Sequence, residues 1–169
     1  DACWRKLLTS PQHQALRDRM GDHADSPTAA MKNNRAKATP QEAALLLSLQ
    51  QDYLAPCRRM ALESAAKVHP TIAAILTESY ARADANTDRL VARDITWGEY
   101  VSENQAIVTH RRAELLAAVI DSLAPDSLDS ALLAEIEHRI RALDPSTPQI
   151  ILMDEALARL RQRLKLSAM

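Results

Sequence analysis

The chain has no Phe, and two Trp and three Tyr are its only aromatic residues; glycine and cysteine occur twice each in 169 residues. Two glycines cannot build a Gly-rich loop that draws backbone N–H groups around a phosphate, so nucleotide cradles of that kind are excluded. There is no Gly-x-Ser-x-Gly turn to present a serine nucleophile, no cysteine in a recognisable catalytic setting, and no Cys-x-x-Cys-His for covalent haem. Charge of neither sign prevails: 21 basic against 22 acidic residues leave a formal net charge of -1. Nothing in that balance favours nucleic acid or an anionic membrane. Long hydrophobic runs are also missing. The stretch from Ala113 to Ile120 is interrupted by Glu114 and follows Arg111 and Arg112, and it falls far short of the ~20 apolar residues that a bilayer-spanning helix requires.

Ala and Leu dominate instead, the composition of packed helices. The expected fold is all-α: an irregular antiparallel bundle of about five main helices with a kinked long helix and short N-terminal helical pieces. The length fits one domain able to bury its own core without metal or dense disulfides. Residues 1–38 form a peripheral N-terminal arm and 39–169 the bundle. Gly21, Ser26-Pro27 and Asn33-Asn34 divide the arm into short pieces. Trp4, Leu7 and Leu8 share one side of a first piece, and Ala15, Leu16 and Met20 one side of a second. Seven Lys and Arg against four Asp make the arm mildly basic, a common surface that implies no partner.

Thr39-Pro40-Gln41-Glu42 is a capping box with proline at the first helical position, where its missing N–H costs nothing. Stepping ~100° per residue puts Leu46, Leu47, Leu54, Cys57, Ser64 and Val68 among the residues of one face. Pro56 lies inside this run, and its clash with the carbonyl four residues earlier predicts a kink near Asp52. Pro70 predicts either a second kink or a tight reset, because His69 before it is driven from helical angles. A second capping box, Thr96-Trp97-Gly98-Glu99, opens a helix running to about Leu123. Leu132, Ile136, Ile140 and Leu143 mark a further helix, and Ile150, Met153, Leu157, Leu160 and Leu164 a last one at alternating steps of three and four. That last stripe fits either docking on the long helices or a homodimer seam.

The helix after Thr96 carries Trp97, Tyr100, Val101, Ile107, Val108 and Val119 among its buried positions, with Asn104 and Arg111 at the centre of the same face. A buried guanidinium must be paired or must snorkel to water. Glu78, Asp84 and Asp88 of the preceding helix are the carboxylates in reach if the two helices run antiparallel. Ser79 and Asn86 of that helix could join Asn104 and Arg111 either in a structural hydrogen-bond network or in a small polar pocket. Trp97 and Tyr100 either anchor the corner or give such a pocket a ligand platform. Metal binding is not expected. Glu135-Ile136-Glu137-His138 holds a single Glu-x-x-His where a di-iron bundle needs two, and His110 with Glu114 reads as an exposed pair or half of a site. Arg159, Arg161, Arg163 and Lys165 suit the C-terminal end of a helix dipole.

A start at Asp1 rather than Met points to a removed secretory signal, a trimmed cytosolic chain being the plainer alternative. In an exported chain, Cys3 and Cys57 are expected to form one bridge, two free thiols acting as small hydrophobes being the alternative. The runs Lys67-Val68-His69-Pro70-Thr71-Ile72-Ala73 and Asp94-Ile95-Thr96-Trp97-Gly98-Glu99-Tyr100 resemble a pattern in small exported helical proteins and lipoproteins of proteobacteria. That resemblance covers the middle third, and implies a helical fold outside the cytoplasm and no enzymatic activity. The leading expectation is therefore a non-enzymatic periplasmic or envelope protein without cofactor that binds a protein partner through a helical surface. The alternative is a small-ligand binder or enzyme using a pocket around Trp97, Tyr100, Asn104 and Arg111.

Overall fold

The computed structural model describes residues 2–22 and 24–122. The expected helices beyond Leu123, the homodimer seam, the Glu-x-x-His and the C-terminal cations lie outside the described residues. Within them every regular element is helical: α1 (Ala2–Leu8), α2 (Pro11–Met20), the single turn α3 (Ala29–Lys32), α4 (Pro40–Leu49), α5 (Ala55–Val68), α6 (Pro70–Val91) and α7 (Trp97–Ser122). The chain divides into two compact units at Thr109/His110. Of the second unit only the C-terminal half of α7 is described, and there His110 Nε2 lies 3.4 Å from Glu114 Oε1, a pair one helical turn apart that is half-buried and not exposed as expected.

Both capping boxes form as expected. Thr39 Oγ1 accepts from Glu42 N at 3.2 Å while the Glu42 carboxylate accepts from Thr39 N at 2.8 Å. At α7, Glu99 N donates to Thr96 Oγ1 at 3.3 Å and Thr96 N to Glu99 Oε2 at 2.8 Å. The long helix is continuous over 29 residues from Pro40 to Val68, but a π-turn at Gln50–Leu54 joins α4 to α5. Its Ala55 N–H reaches back to Gln50 O, five residues away. The widened turn sits immediately before Pro56, so the predicted kink takes the form of one extra residue in the helix, which relieves the clash at the Asp52 carbonyl.

The predicted face, which assumed unbroken 100° steps, holds in part. Leu46, Leu49, Cys57 and Ala65 are buried, whereas Leu47, Ser64 and Val68 face solvent. Val68 is 74% exposed, because the helix ends there. His69 is fully extended (φ -162°, ψ 134°) and its Nδ1 accepts from Thr71 N, so the chain resets at Pro70 and begins α6 as a new helix. The helix α6 returns along α5, fastened by Arg58, which pairs with Asp84 and lies 4.9 Å above the Tyr80 ring. Gln50 Nε2 donates to the same Asp84 oxygen at 2.7 Å.

A Schellman cap closes α6: Asp94 N donates to Arg89 O and Arg93 N to Leu90 O, with Arg93 at φ 64° where glycine is usual. The chain then turns into α7, whose Trp97 and Tyr100 are buried as expected and meet edge to face at 5.7 Å. With Leu16 of α2, Ala38, Leu46 of α4 and Leu90 of α6 they make the core, so the N-terminal segment contributes buried residues of its own. Val119 departs from expectation: it is 45% exposed, on the part of α7 that belongs to the second unit.

The extended stretch after α3 crosses the start of α7. Trp97 N donates to Ala36 O and Gly98 N to Asn34 O, each at 2.9 Å. With Thr96 N on Glu99 Oε2 and Glu99 N on Thr96 Oγ1, all four N–H groups that a helix start leaves open are satisfied. The crossing is so close that a Cβ on Gly98 would sit 2.8 Å from Asn34 O and collide with Lys32 O.

These two backbone positions predict substitutions of opposite sign. Gly98→Ala, which in an ordinary helix adds up to ~1 kcal/mol, is expected to cost a net ~2 kcal/mol by pushing the crossing strand away. Arg93→Gly is expected to add up to ~1 kcal/mol by relieving the left-handed residue. Urea midpoints of the two variants against the parent check both signs.

Candidate functional site

Of the four residues singled out around α7, Trp97, Tyr100 and Asn104 belong to the first unit and Arg111 to the second. Trp97 is wholly enclosed in the core. Tyr100 and Asn104 border a cavity, and Arg111 is partly buried in the second unit. Asn86 is 2% exposed and its Nδ2 donates to Tyr100 O at 3.0 Å and Asn104 Oδ1 at 3.1 Å. Asn86 and Asn104 thus form the expected polar contact between α6 and α7. Buried Ser79 stands outside it, its Oγ without a hydrogen-bond partner. Asp84, considered for Arg111, is engaged by Arg58 and Gln50.

The cavity bordered by Tyr100 and Asn104 measures about 300 Å³ and lies within the first unit. Its apolar wall comes from Trp4, Leu7 and Leu8 of α1, Met20 of α2, and Leu49 and Leu54 beside the π-turn. Three features hold α1 there. Leu7 is buried, Trp4 sits half in and half out at 36% exposure, and the structure joins Cys3 to Cys57, the expected pair, with their Cα atoms 5.7 Å apart. Closing that loop of about 55 residues contributes ~4 kcal/mol in the chain-entropy view.

Helix α2 brings the polar groups. Ser10 caps it through a bond from His13 N, with Pro11 in the first turn. His13, Leu16 and Met20 follow one another at helical spacing, and His13 rather than the expected Ala15 turns inward, 1% exposed. His13 borders the cavity, and its Nδ1 is buried without a hydrogen-bond partner. Beyond Gly21, whose positive φ of 70° ends the helix, Asp22 closes the same side, with Oδ1 4.0 Å from His13 Nδ1. That span is too long for a hydrogen bond between them. Asp22 Oδ2 is taken by Arg17, at 2.6 Å from Nη2 and 3.1 Å from Nε. Sequence reading passed over His13 because a histidine on an apolar stripe does not score as apolar; its i, i+3, i+7 spacing with Leu16 and Met20 was the available signal.

Two links fix α2 to α4: Gln12 Nε2 to Ser48 Oγ at 3.1 Å, and Arg19 Nε to Glu42 Oε1 at 2.8 Å. Among the described residues no group of three or more His, Cys, Asp or Glu could hold a metal, and no helix is long and apolar enough to cross a membrane. Compared with known protein families, with characterised proteins and with solved structures, the chain matches none.

Glu42 therefore serves both the α4 cap and the α2 link. Partial burial pushes its pKa up, but the bonds from Thr39 and Arg19 outweigh this and hold it below the usual glutamate range. Its contribution to stability is complete above the ordinary value of 4.5 and is lost as pH falls through the lowered native value. Gln at this position keeps a capping side chain but does not titrate. Glu42→Gln is expected to flatten the acid limb of the stability–pH curve below pH 4.5, measured by urea midpoints from neutral to acidic pH.

Proposed function

We propose that this chain is an exported, non-enzymatic helical protein that binds a small, mainly apolar molecule in the cavity between α1, α2 and the π-turn. The observation that carries the reading is that cavity: about 300 Å³, walled by Trp4 and leucines, with His13, Asp22 and Asn104 among the residues that border it. This is the build of small-molecule sites, at the small end of their range. At ~30 Å³ for each small-molecule-sized unit of liquid volume, it admits about ten non-hydrogen atoms. The Cys3–Cys57 pairing supports an oxidising compartment. The composition and the absence of catalytic motifs support binding over catalysis. A second reading, capture of a protein partner on a helical surface, is supported by Met60 and Val68, which stand 57% and 74% exposed on α5.

Octanol is a neutral ligand of the right size. It is expected to bind saturably with a Kd on the order of 0.1–1 mM, from the usual binding free energy per ligand atom, and to perturb Trp4 fluorescence. Ala24→Trp, at the exposed edge of the cavity, is expected to weaken binding at least about tenfold while leaving the fold intact. Absence of saturable binding up to the solubility limit of octanol would defeat the small-ligand reading and leave the protein-partner reading in force.

A further inference from the structure

We propose that α1 is a strap across the cavity, hinged at Thr9-Ser10 and latched by the Cys3–Cys57 bridge, and that cutting the bridge opens the cavity and releases its occupant. The proposal rests on the cavity being a ligand site and adds how that site is controlled. One wall of the cavity is α1 itself, through Trp4, Leu7 and Leu8, and Leu54 of the long helix borders it too. Cys57 lies less than a turn beyond Leu54, so the bridge fastens the outer end of α1 beside that wall.

The two ends of α1 are held differently. At the inner end Ser10 is 3% exposed and caps α2 by accepting from His13 N, and Gln14 Nε2 donates to Leu8 O at 2.6 Å. These contacts tie α1 to the helix that follows it and do not depend on the bridge. At the outer end Cys3, partly exposed, is joined to Cys57, 3% exposed in α5. Between the ends Leu7 is buried, Trp4 and Leu8 are partly so, and Arg5 and Lys6 face solvent. A helix of seven residues is marginal in water by itself, because so few hydrogen bonds follow a costly nucleus. One buried leucine and two partly buried side chains do not offset the backbone freedom that the segment regains on release. The bridge therefore holds α1 down.

Release is a thiol–disulfide exchange with a dithiol reductant. One thiolate of the reductant attacks the bridge at Cys3, the less buried partner; the S–S bond breaks, and Cys57 leaves as a thiolate and takes up a proton. The reductant's second thiol then attacks the mixed disulfide and frees Cys3. One dithiol is oxidised to a disulfide, and two electrons and two protons pass to the cysteine pair.

Octanol is the probe, titrated into the bridged protein, into the protein reduced with dithiothreitol, and into Cys3→Ser, which removes the latch without a reductant. The bridged protein is expected to bind it saturably, and both unlatched forms about tenfold more weakly, because the α1 wall is lost. Acrylamide quenching follows the strap directly. Trp97 is enclosed, so the quenchable emission is that of Trp4, and quenching is expected to rise about twofold on unlatching. Equal octanol affinity in the three forms, or unchanged quenching, would overturn the strap. Loss of the cooperative urea transition on unlatching would overturn it too, by showing the bridge to be a staple of the whole fold. Absence of saturable binding by the bridged protein would show that the underlying reading of the cavity has failed, and its control with it.

Discussion

The backbone crossing at Gly98 is the constraint on which the rest of the first unit depends. A helix start leaves four N–H groups without helical partners, and in α7 two of them belong to a residue pair, Trp97-Gly98, that is buried. Leaving those donors unpaired out of water would cost ~1–3 kcal/mol each. The carbonyls of Asn34 and Ala36 supply the missing acceptors, and can approach only because position 98 has no side chain. The crossing also fixes the stretch that leads into Thr39 and α4, and places Ala38 in the core beside Trp97. One glycine thereby joins the N-terminal segment to the central helices, and its use explains why so glycine-poor a chain spends one inside a helix, where alanine is otherwise preferred.

The π-turn has a comparable role on the other side of the cavity. Proline at 56 would force a gap or a clash in a regular ladder; the chain answers with a wide turn at Gln50–Leu54. Widening re-phases the helix, so Leu49 before it is buried and Cys57 after it faces α1 closely enough to bridge Cys3. Leu49 and Leu54, at the two ends of the turn, border the cavity. A helix that is irregular only over these five residues, and there lines a cavity, fits the frequent association of π-turns with sites rather than with packing.

Much of this was legible in the sequence where the signal is local. The capping boxes at Thr39 and Thr96, the burial of Trp97 and Tyr100, the pairing of Cys3 with Cys57 and the disturbance ahead of Pro56 each follow from a few adjacent residues or from a count of two cysteines. Periodicity was right for Leu46 and Cys57 and failed for Leu47, Ser64 and Val68, which were assigned inward and lie outside, Val68 because the helix ends there. The cavity was half legible. Tyr100 and Asn104 could be picked out as polar and aromatic groups on the buried side of α7, but nothing in the chain between them and His13, some ninety residues earlier, shows that the two border one cavity. Long-range adjacency of that kind is written in the backbone crossing and in the Arg19–Glu42 link, neither of which has a sequence signature.

The buried polar atoms of the first unit separate structure from site. Five of them have no hydrogen-bond partner among the described residues: Gln12 Oε1, His13 Nδ1, Ser79 Oγ, Asn86 Oδ1 and Trp97 Nε1. Orphans on groups that are otherwise engaged are the least telling. Asn86 spends its amide nitrogen on Tyr100 and Asn104, and Gln12 spends its own on Ser48, so each side chain is held by one end and its burial is partly compensated. Trp97 repays its idle N–H with the apolar area of a fully enclosed indole, and Ser79 is a small hydroxyl whose desolvation costs least. His13 has none of these compensations. Its imidazole is smaller and more polar than indole, the Asp22 carboxylate oxygen lies 4.0 Å from Nδ1, beyond hydrogen-bond reach, and of the five residues it alone borders the apolar cavity. A leucine at that position would pack beside Leu16 with no such cost, so for a fold built by burial alone His13 is an expensive choice.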